Sequence, residues 1–232
     1  VMVANVPDYC VGEVADHTLA LLLCLSRQIC QLNARIRTQG WSGPLQPVPR
    51  LEGRVLGIIG LGRIGRAVAA RARGFGLRII ACDPYVSADV FPAMGVEPVG
   101  LEALLRSSDI VTLHTPLTRE TRGLIRKDTL RRMKATALLL NTSRGGVVNN
   151  EDLVEALREG CLAGAGLDVA EVEPLPRDHP LRGMPRVVLT PHAAWYSAEA
   201  EPDLRRRAAR TVVQALRGEV PSALLNPEVL KT

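Results

Sequence analysis

Residues 54–65 read Arg54-Val55-Leu56-Gly57-Ile58-Ile59-Gly60-Leu61-Gly62-Arg63-Ile64-Gly65, and an acid, Asp83, stands 18 positions beyond the last of these glycines. Arg54–Ile59 reads as a buried strand, Arg63–Phe75 as a helix, and Leu77–Cys82 as a second strand that carries Asp83 to its end. A glycine triplet alone is weak evidence. Set at a strand-to-helix turn, with an acid closing the next strand, it reads as a dinucleotide fingerprint. Gly60 permits the tight turn, Gly62 lets backbone N–H groups approach a pyrophosphate, and Gly65 lets helix and strand pack closely. The helix N-terminus offers unpaired N–H groups and partial positive charge to phosphate. Asp83 is placed to accept from the ribose hydroxyls and to repel a 2′-phosphate, which selects NAD(H).

Outward from this unit, strands and helices alternate. Strands are expected at Ile110–His114, Ala137–Asn141, Ala163–Asp168 and Arg186–Thr190, with helices near Pro84–Met94, 101–106, Lys127–Met133 and Asn150–Glu159. A last helix runs from about Ala198 to Leu216. Upstream, apolar residues at helical spacing predict one long helix from Glu13 to about Arg37, and a loop over Gly40–Arg50 contains Pro44, Pro47 and Pro49. The alternation implies an α/β fold: a doubly wound parallel sheet covered on both faces. Ligands of such sheets bind beyond the carboxyl ends of the strands. That rule gathers Arg63, Ile64, Asp83, Thr115, Pro116, Thr121, Thr142, Ser143, Asp168 and His192 along one edge as cofactor contacts.

Three residues of that edge suit catalysis. Arg144 follows Asn141-Thr142-Ser143 and precedes two glycines; a permanently charged fork there can orient a carboxylate and stabilise negative oxygen. His192 follows Pro191 at a strand end, and its reference pKa near neutrality suits proton transfer. Glu173, 19 residues upstream, can fix the imidazole tautomer and favour the charged ring. Asp168 either meets the nicotinamide amide or serves as a turn former. Trp195 either walls a substrate pocket or packs in the interior. His17, His114 and His179 carry no functional expectation.

Bulk properties narrow the classes. Hydrophobic residues make up 47% of the 232, ample for a core, while aromatics at 3% leave packing to aliphatic side chains. The net charge of +5 owes much to Arg205, Arg206, Arg207 and Arg210, which share one predicted helix and read as a solvated face, not a nucleic-acid patch. The longest strongly apolar run, Leu19–Leu25, is too short to span a bilayer. Five cysteines without a CxxC pair, and no secretory leader, point to a reduced cytoplasmic setting.

These motifs, taken together, resemble the D-isomer-specific 2-hydroxyacid dehydrogenase family. The likeness covers essentially the whole chain and runs through Asn5-Val6-Pro7, Glu13-Val14-Ala15-Asp16-His17, the glycine turn, Asn141–Gly146, Gly166-Leu167-Asp168-Val169, Glu173-Pro174 and Thr190-Pro191-His192. It implies a Rossmann NAD-binding domain acting on a 2-keto or 2-hydroxy acid. By the same likeness Arg144 orients substrate, His192 is the acid/base, Glu173 is its partner and Asp168 contacts the nicotinamide. Asp83-Pro84-Tyr85 and the segment Pro191–Ser197 around Trp195 are most similar to the C-terminal-binding-protein branch of dehydrogenase-like corepressors. Family members begin with a substrate-domain segment that should already have ended where this chain starts. The expected organisation is therefore the end of a truncated substrate domain (1–10), an NAD-binding domain (11–197), and a helix and tail returning to the substrate domain (198–232). A homodimer is expected from the apolar surface of the 13–37 helix. The alternative readings are an NAD(H)-sensing scaffold with little turnover and an inactive fragment.

Overall fold

The computed structural model describes residues 1–41 and 47–231, so Pro44 of the expected loop lies outside the described residues. The chain divides into two compact units, Val1–Glu13 with Trp195–Thr232 and Val14–Ala194.

The larger unit is built on seven parallel strands: β1 (Val55–Ile59), β2 (Arg78–Cys82), β3 (Glu97–Pro98), β4 (Ile110–Leu113), β5 (Leu138–Asn141), β6 (Gly164–Leu167) and β7 (Val187–Leu189). Their order is β3-β2-β1-β4-β5-β6-β7. The chain winds outward from β1 to β3, then returns to lay β4 on the other side of β1, so the topology reverses between β1 and β4. Because successive side chains point to opposite faces, each buried strand feeds two cores. Val55, Ile59, Val111, Leu113, Leu139 and Leu167 face one, with α5 (Leu101–Ser107), α6 (Lys127–Leu130) and α7 (Asn150–Arg158) packed over them. Leu56, Ile58, Ile79, Ala81, Ile110 and Leu140 face the other, covered by α1 (Val11–Ser26), α3 (Arg63–Ala72) and α4 (Val90–Ala93). Fully buried leucines such as Leu22, Leu56 and Leu104 each contribute about 1.5–3 kcal/mol by leaving water.

Three expectations need correction. The long helix over 13–37 is two: α1 ends at Ser26 and α2 (Ile29–Gln39) begins after Gln28, whose φ of 54° is left-handed and breaks the ladder. The helix expected at Pro84–Met94 is reduced to α4, preceded by turns. The edge strand β3 was not expected, because two residues ending in proline carry no strand pattern.

In the smaller unit, α8 (Ala200–Leu216) buries only Ala200 along its length. Ala4 forms an antiparallel bridge with Leu224, and Tyr9 meets Trp195 edge to face at 6.2 Å between ring centroids. The basic run on α8 is locally compensated: Arg205 pairs with Glu201, Arg206 with Asp203, and Arg207 with both Asp203 and Asp8. Among the described residues no helix is long and apolar enough to cross a membrane.

Candidate active site

Strand register places the candidate site. Cys82, Ile59, Leu113, Asn141, Leu167 and Leu189 pair in succession across β2, β1, β4, β5, β6 and β7, forming one row at the carboxyl ends. Asp83, Gly60, His114, Thr142, Asp168 and Thr190 are each the next residue, so six loops leave the sheet along one line.

The glycine turn sits at the β1–α3 end of that line. Gly60 has φ 93°, and a Cβ there would lie 2.7 Å from the His114 carbonyl oxygen. At Gly65 a Cβ would fall 2.2 Å from the Gly60 oxygen, so the helix packs on the strand only without one. Gly62 is the N-cap of α3, exposed, with no side-chain cap and nothing within 4 Å of a Cβ. The opening turn of α3 therefore presents its N–H groups to open space, as an anion needs. Arg63 is exposed beside it, while Ile64 packs into the core below. Asp83 Oδ2 accepts the Leu61 N–H at 2.7 Å and Oδ1 accepts the Tyr85 N–H at 2.9 Å, which fixes the carboxylate beside the turn. Thr115 Oγ1 is buried without a partner among the described residues, an orphaned polar atom next to the same turn. Thr121 closes the loop after Pro116 by donating to the Pro116 carbonyl at 2.6 Å. An open helix N-terminus, a fixed acid and an orphaned hydroxyl fit a dinucleotide.

Arg144 stands on a braced loop. Asn141 accepts from the Ser143 N–H and hydroxyl and donates to the Arg144 carbonyl at 3.0 Å. The exposed guanidinium donates one N–H to the Ser143 carbonyl at 2.7 Å, leaving its other donors for a ligand. Behind it, a Cβ on Gly145 would lie 1.8 Å from the Ala170 oxygen, so this loop and the one after β6 touch backbone to backbone.

Glu173 and His192 form a pair. His192 Nδ1 lies 2.7 Å from Glu173 Oε2, and Glu173 Oε1 accepts the Ala170 N–H at 3.0 Å. The carboxylate thus holds a proton on Nδ1 and leaves Nε2 for chemistry. Partial burial pushes Glu173 up, but the His192 hydrogen bond, the Ala170 N–H and the charges of His192 and Arg144 together hold it below the ordinary carboxylate value. That influence brings Arg144 into the same electrostatic site. The pair lines a cavity of about 490 Å³ whose apolar walls include Leu175, Leu181 and Leu189.

Asp168 has a more structural surrounding than its sequence position suggests. Its side chain is 1% exposed. Oδ1 accepts from the Thr190 hydroxyl at 2.6 Å and the Ala193 N–H at 2.9 Å; Oδ2 accepts the Ala194 N–H at 2.9 Å. Its carbonyl accepts the His192 N–H at 2.8 Å, holding His192 at a left-handed φ of 55°. Thr142 is buried and meets Thr18 Oγ1 at 2.8 Å. His17, without expectation in the sequence, lies with Nε2 2.8 Å from Thr190 Oγ1. His114 bonds Thr112 through Nε2 while Nδ1 is sealed from solvent, and burial pushes its pKa down to about 3. Trp195 belongs to the smaller unit, where it packs on Tyr9 and Tyr196. Among the described residues no group of three metal-ligating side chains converges.

Residues 19–194 match the family model described as "D-isomer specific 2-hydroxyacid dehydrogenase, NAD binding domain". A glyoxylate reductase of Korarchaeum cryptofilum is 46% identical over 235 residues, covering all of this chain and 71% of the relative. A D-3-phosphoglycerate dehydrogenase of Bacillus subtilis is 39% identical over 232 residues, covering all of this chain and 44% of the relative. Among solved structures, a D-lactate dehydrogenase of Aquifex aeolicus complexed with NAD and lactic acid superposes with a TM-score of 0.89 at 29% identity, over 97% of this chain and 73% of that one.

Proposed function

The chain belongs to the D-isomer specific 2-hydroxyacid dehydrogenase family, and from that premise we propose that Arg144, His192 and Glu173 are the catalytic set of an NAD-dependent reduction of a small 2-keto acid such as glyoxylate. The observation that carries this reading is the His192–Glu173 pair, 2.7 Å apart, on the same strand-end line as the glycine turn and Arg144.

Bound NADH supplies a hydride to the carbonyl carbon. Arg144 takes the substrate carboxylate with its free donors and draws charge onto the carbonyl oxygen. His192, protonated on Nε2, gives that proton to the same oxygen as the C=O π bond becomes an O–H. Glu173 keeps the imidazole oriented by holding the proton on Nδ1. With the hydride a bound cofactor would supply, this proton completes the alcohol and leaves His192 neutral; for oxidation of a 2-hydroxy acid the neutral imidazole would take the proton back. Gly60, Gly62, Arg63, Ile64 and Gly65 form the pyrophosphate turn. When the dinucleotide is bound, Asp83 would take the ribose, Thr115, Pro116, Thr121, Thr142 and Ser143 would line its path, and Asp168 would meet the nicotinamide amide.

A homodimer is part of the proposal. Helix α2 buries none of its residues, and Ile29, Ile36 and Trp41 are exposed around it. Sedimentation at micromolar concentration tests this, and a monomer would count against it. A scaffold of C-terminal-binding-protein type is the second reading, favoured by the motif around Trp195; NADH-dependent assembly without turnover supports it over the enzyme. The deciding variant is His192→Ala. Turnover of NADH with glyoxylate should fall ~10²–10⁴-fold while NADH still binds. Undiminished turnover would remove His192 from the chemistry.

A further inference from the structure

Helix α1 carries His17 and Thr18 in succession, and each reaches the end of a different strand. Thr18 donates its single hydroxyl proton to the Val14 carbonyl at 2.7 Å, so in its 2.8 Å contact with Thr142 it is the acceptor. Thr142 opens the loop that carries Arg144. The Thr190 hydroxyl donates to Asp168 Oδ1 at 2.6 Å, so in the 2.8 Å contact with His17 Nε2 its oxygen accepts and the imidazole donates. His17 Nε2 also stands 3.6 Å from Asp168 Oδ1. Asp168 in turn accepts the Ala193 and Ala194 N–H groups, and its carbonyl accepts that of His192. His192 lies at φ 55°, a conformation that a residue with a side chain keeps only when its surroundings fix it.

We infer that His17 is a positioning residue for the proposed reaction: through Thr190 and Asp168 it locks the loop of His192, while Thr18 locks the loop of Arg144, so one helix holds the two catalytic loops in register. The inference rests on the reading of Arg144 and His192 as catalytic. An imidazole donor matters here because the Thr190 hydroxyl proton is already committed to Asp168, which leaves the Thr190 oxygen an acceptor to satisfy. Loss of the donor leaves a half-buried acceptor without its protein partner and frees the loop to leave its left-handed turn. Displacement of about 1 Å at a reacting group is enough to slow chemistry strongly.

The test compares His17→Leu, which has no donor, with His17→Gln, whose amide nitrogen reaches to a similar distance. His17→Leu should lower kcat about tenfold or more with the KM for NADH within about twofold of the parent, and should speed amide hydrogen exchange at Ala193 and Ala194 about tenfold. His17→Gln should restore both. Parental kcat and exchange in His17→Leu, or equal impairment in the two variants, would overturn the inference. If His17→Leu does not fold, Thr190→Val against Thr190→Ser poses the same contrast at the relay oxygen. If the parent protein shows no turnover, the catalytic reading falls, and the exchange contrast alone still decides whether His17 locks the loop.

Discussion

Gly145→Ala tests whether the loops that carry Arg144 and Glu173, proposed as catalytic, depend on each other. An ideal Cβ at Gly145 would lie 1.8 Å from the Ala170 oxygen, 2.0 Å from its carbonyl carbon and 2.6 Å from the Glu171 nitrogen. All three are main-chain atoms, so no rotamer relieves the clash. Ordinary contact begins at 3.4 Å, and the loops must part by about 1.6 Å to reach it. Overpacking of this kind costs about 1–3 kcal/mol, and a backbone clash belongs at the upper end. For a chain of this size the melting temperature should fall by roughly 6–12 °C. The larger effect is on rate. The Ala170 N–H is the second support of the Glu173 carboxylate, so moving it shifts the base that orients His192. A misplacement on this scale can lower turnover ~10²-fold. Gly146→Ala is the control, because the atoms nearest its Cβ would be side-chain ends, the methyls of Leu117 and the guanidinium of Arg122, at 3.1 Å or more. Thermal melts and NADH turnover on both variants make the assay. A Gly145→Ala protein that melts within about 1 °C of the parent and keeps its turnover would refute the coupling.

Three further outcomes follow from the same geometry. Gly62→Val should leave the melting temperature unchanged, since nothing lies within 4 Å of its Cβ, yet weaken NADH binding at least about tenfold by filling the pyrophosphate's approach; parental affinity by calorimetry would move the phosphates elsewhere. Asp83→Ala should relax the preference for NAD over NADP, read as a ratio of affinities so that general weakening cancels, and an unaltered ratio would end its ribose role. His114 binds its proton at about pH 3 in the fold against 6.5 when unfolded, so the unfolded chain holds the extra proton between those values and stability falls as pH drops through that window. The slope reaches at most about 1.4 kcal/mol per pH unit, and denaturant melts between about pH 6.5 and 5 should lose that slope in His114→Asn. Equal slopes in the two proteins would mean that the ring titrates freely in the fold.

The strand ends were legible in the sequence because apolar runs stop where glycine, proline and acids begin, and Gly60–Gly65 with Asp83 named the topology from local chemistry alone. The break at Gln28 was not legible: Arg27 and Gln28 are both good helix formers, and a left-handed residue other than glycine leaves no compositional mark. The two-residue β3 escaped for lack of any period to detect. At the site, Arg144 and His192 stand out because each follows a strand beside glycine or proline, and Glu173 because it precedes Pro174 in a loop 19 residues before His192. His17 does not, since its hydrogen-bond partner lies 173 residues away and a histidine on an apolar helix face reads as packing. Asp168 follows β6 directly, but the direction of its carboxylate, toward the Ala193 and Ala194 N–H groups, depends on how β6 and β7 lie side by side, which no local pattern encodes.

The central claim is that a nicotinamide ring lies between Arg144 and His192 and exchanges a hydride with the carbon next to a carboxylate. A single turnover of the protein with pyruvate and NADH deuterated at the hydride-donating carbon reads it directly. The account predicts lactate of the D configuration carrying the deuterium on its hydroxyl-bearing carbon. Lactate without the label, lactate of the opposite hand, or bound NADH that never discharges into the keto acid would contradict it.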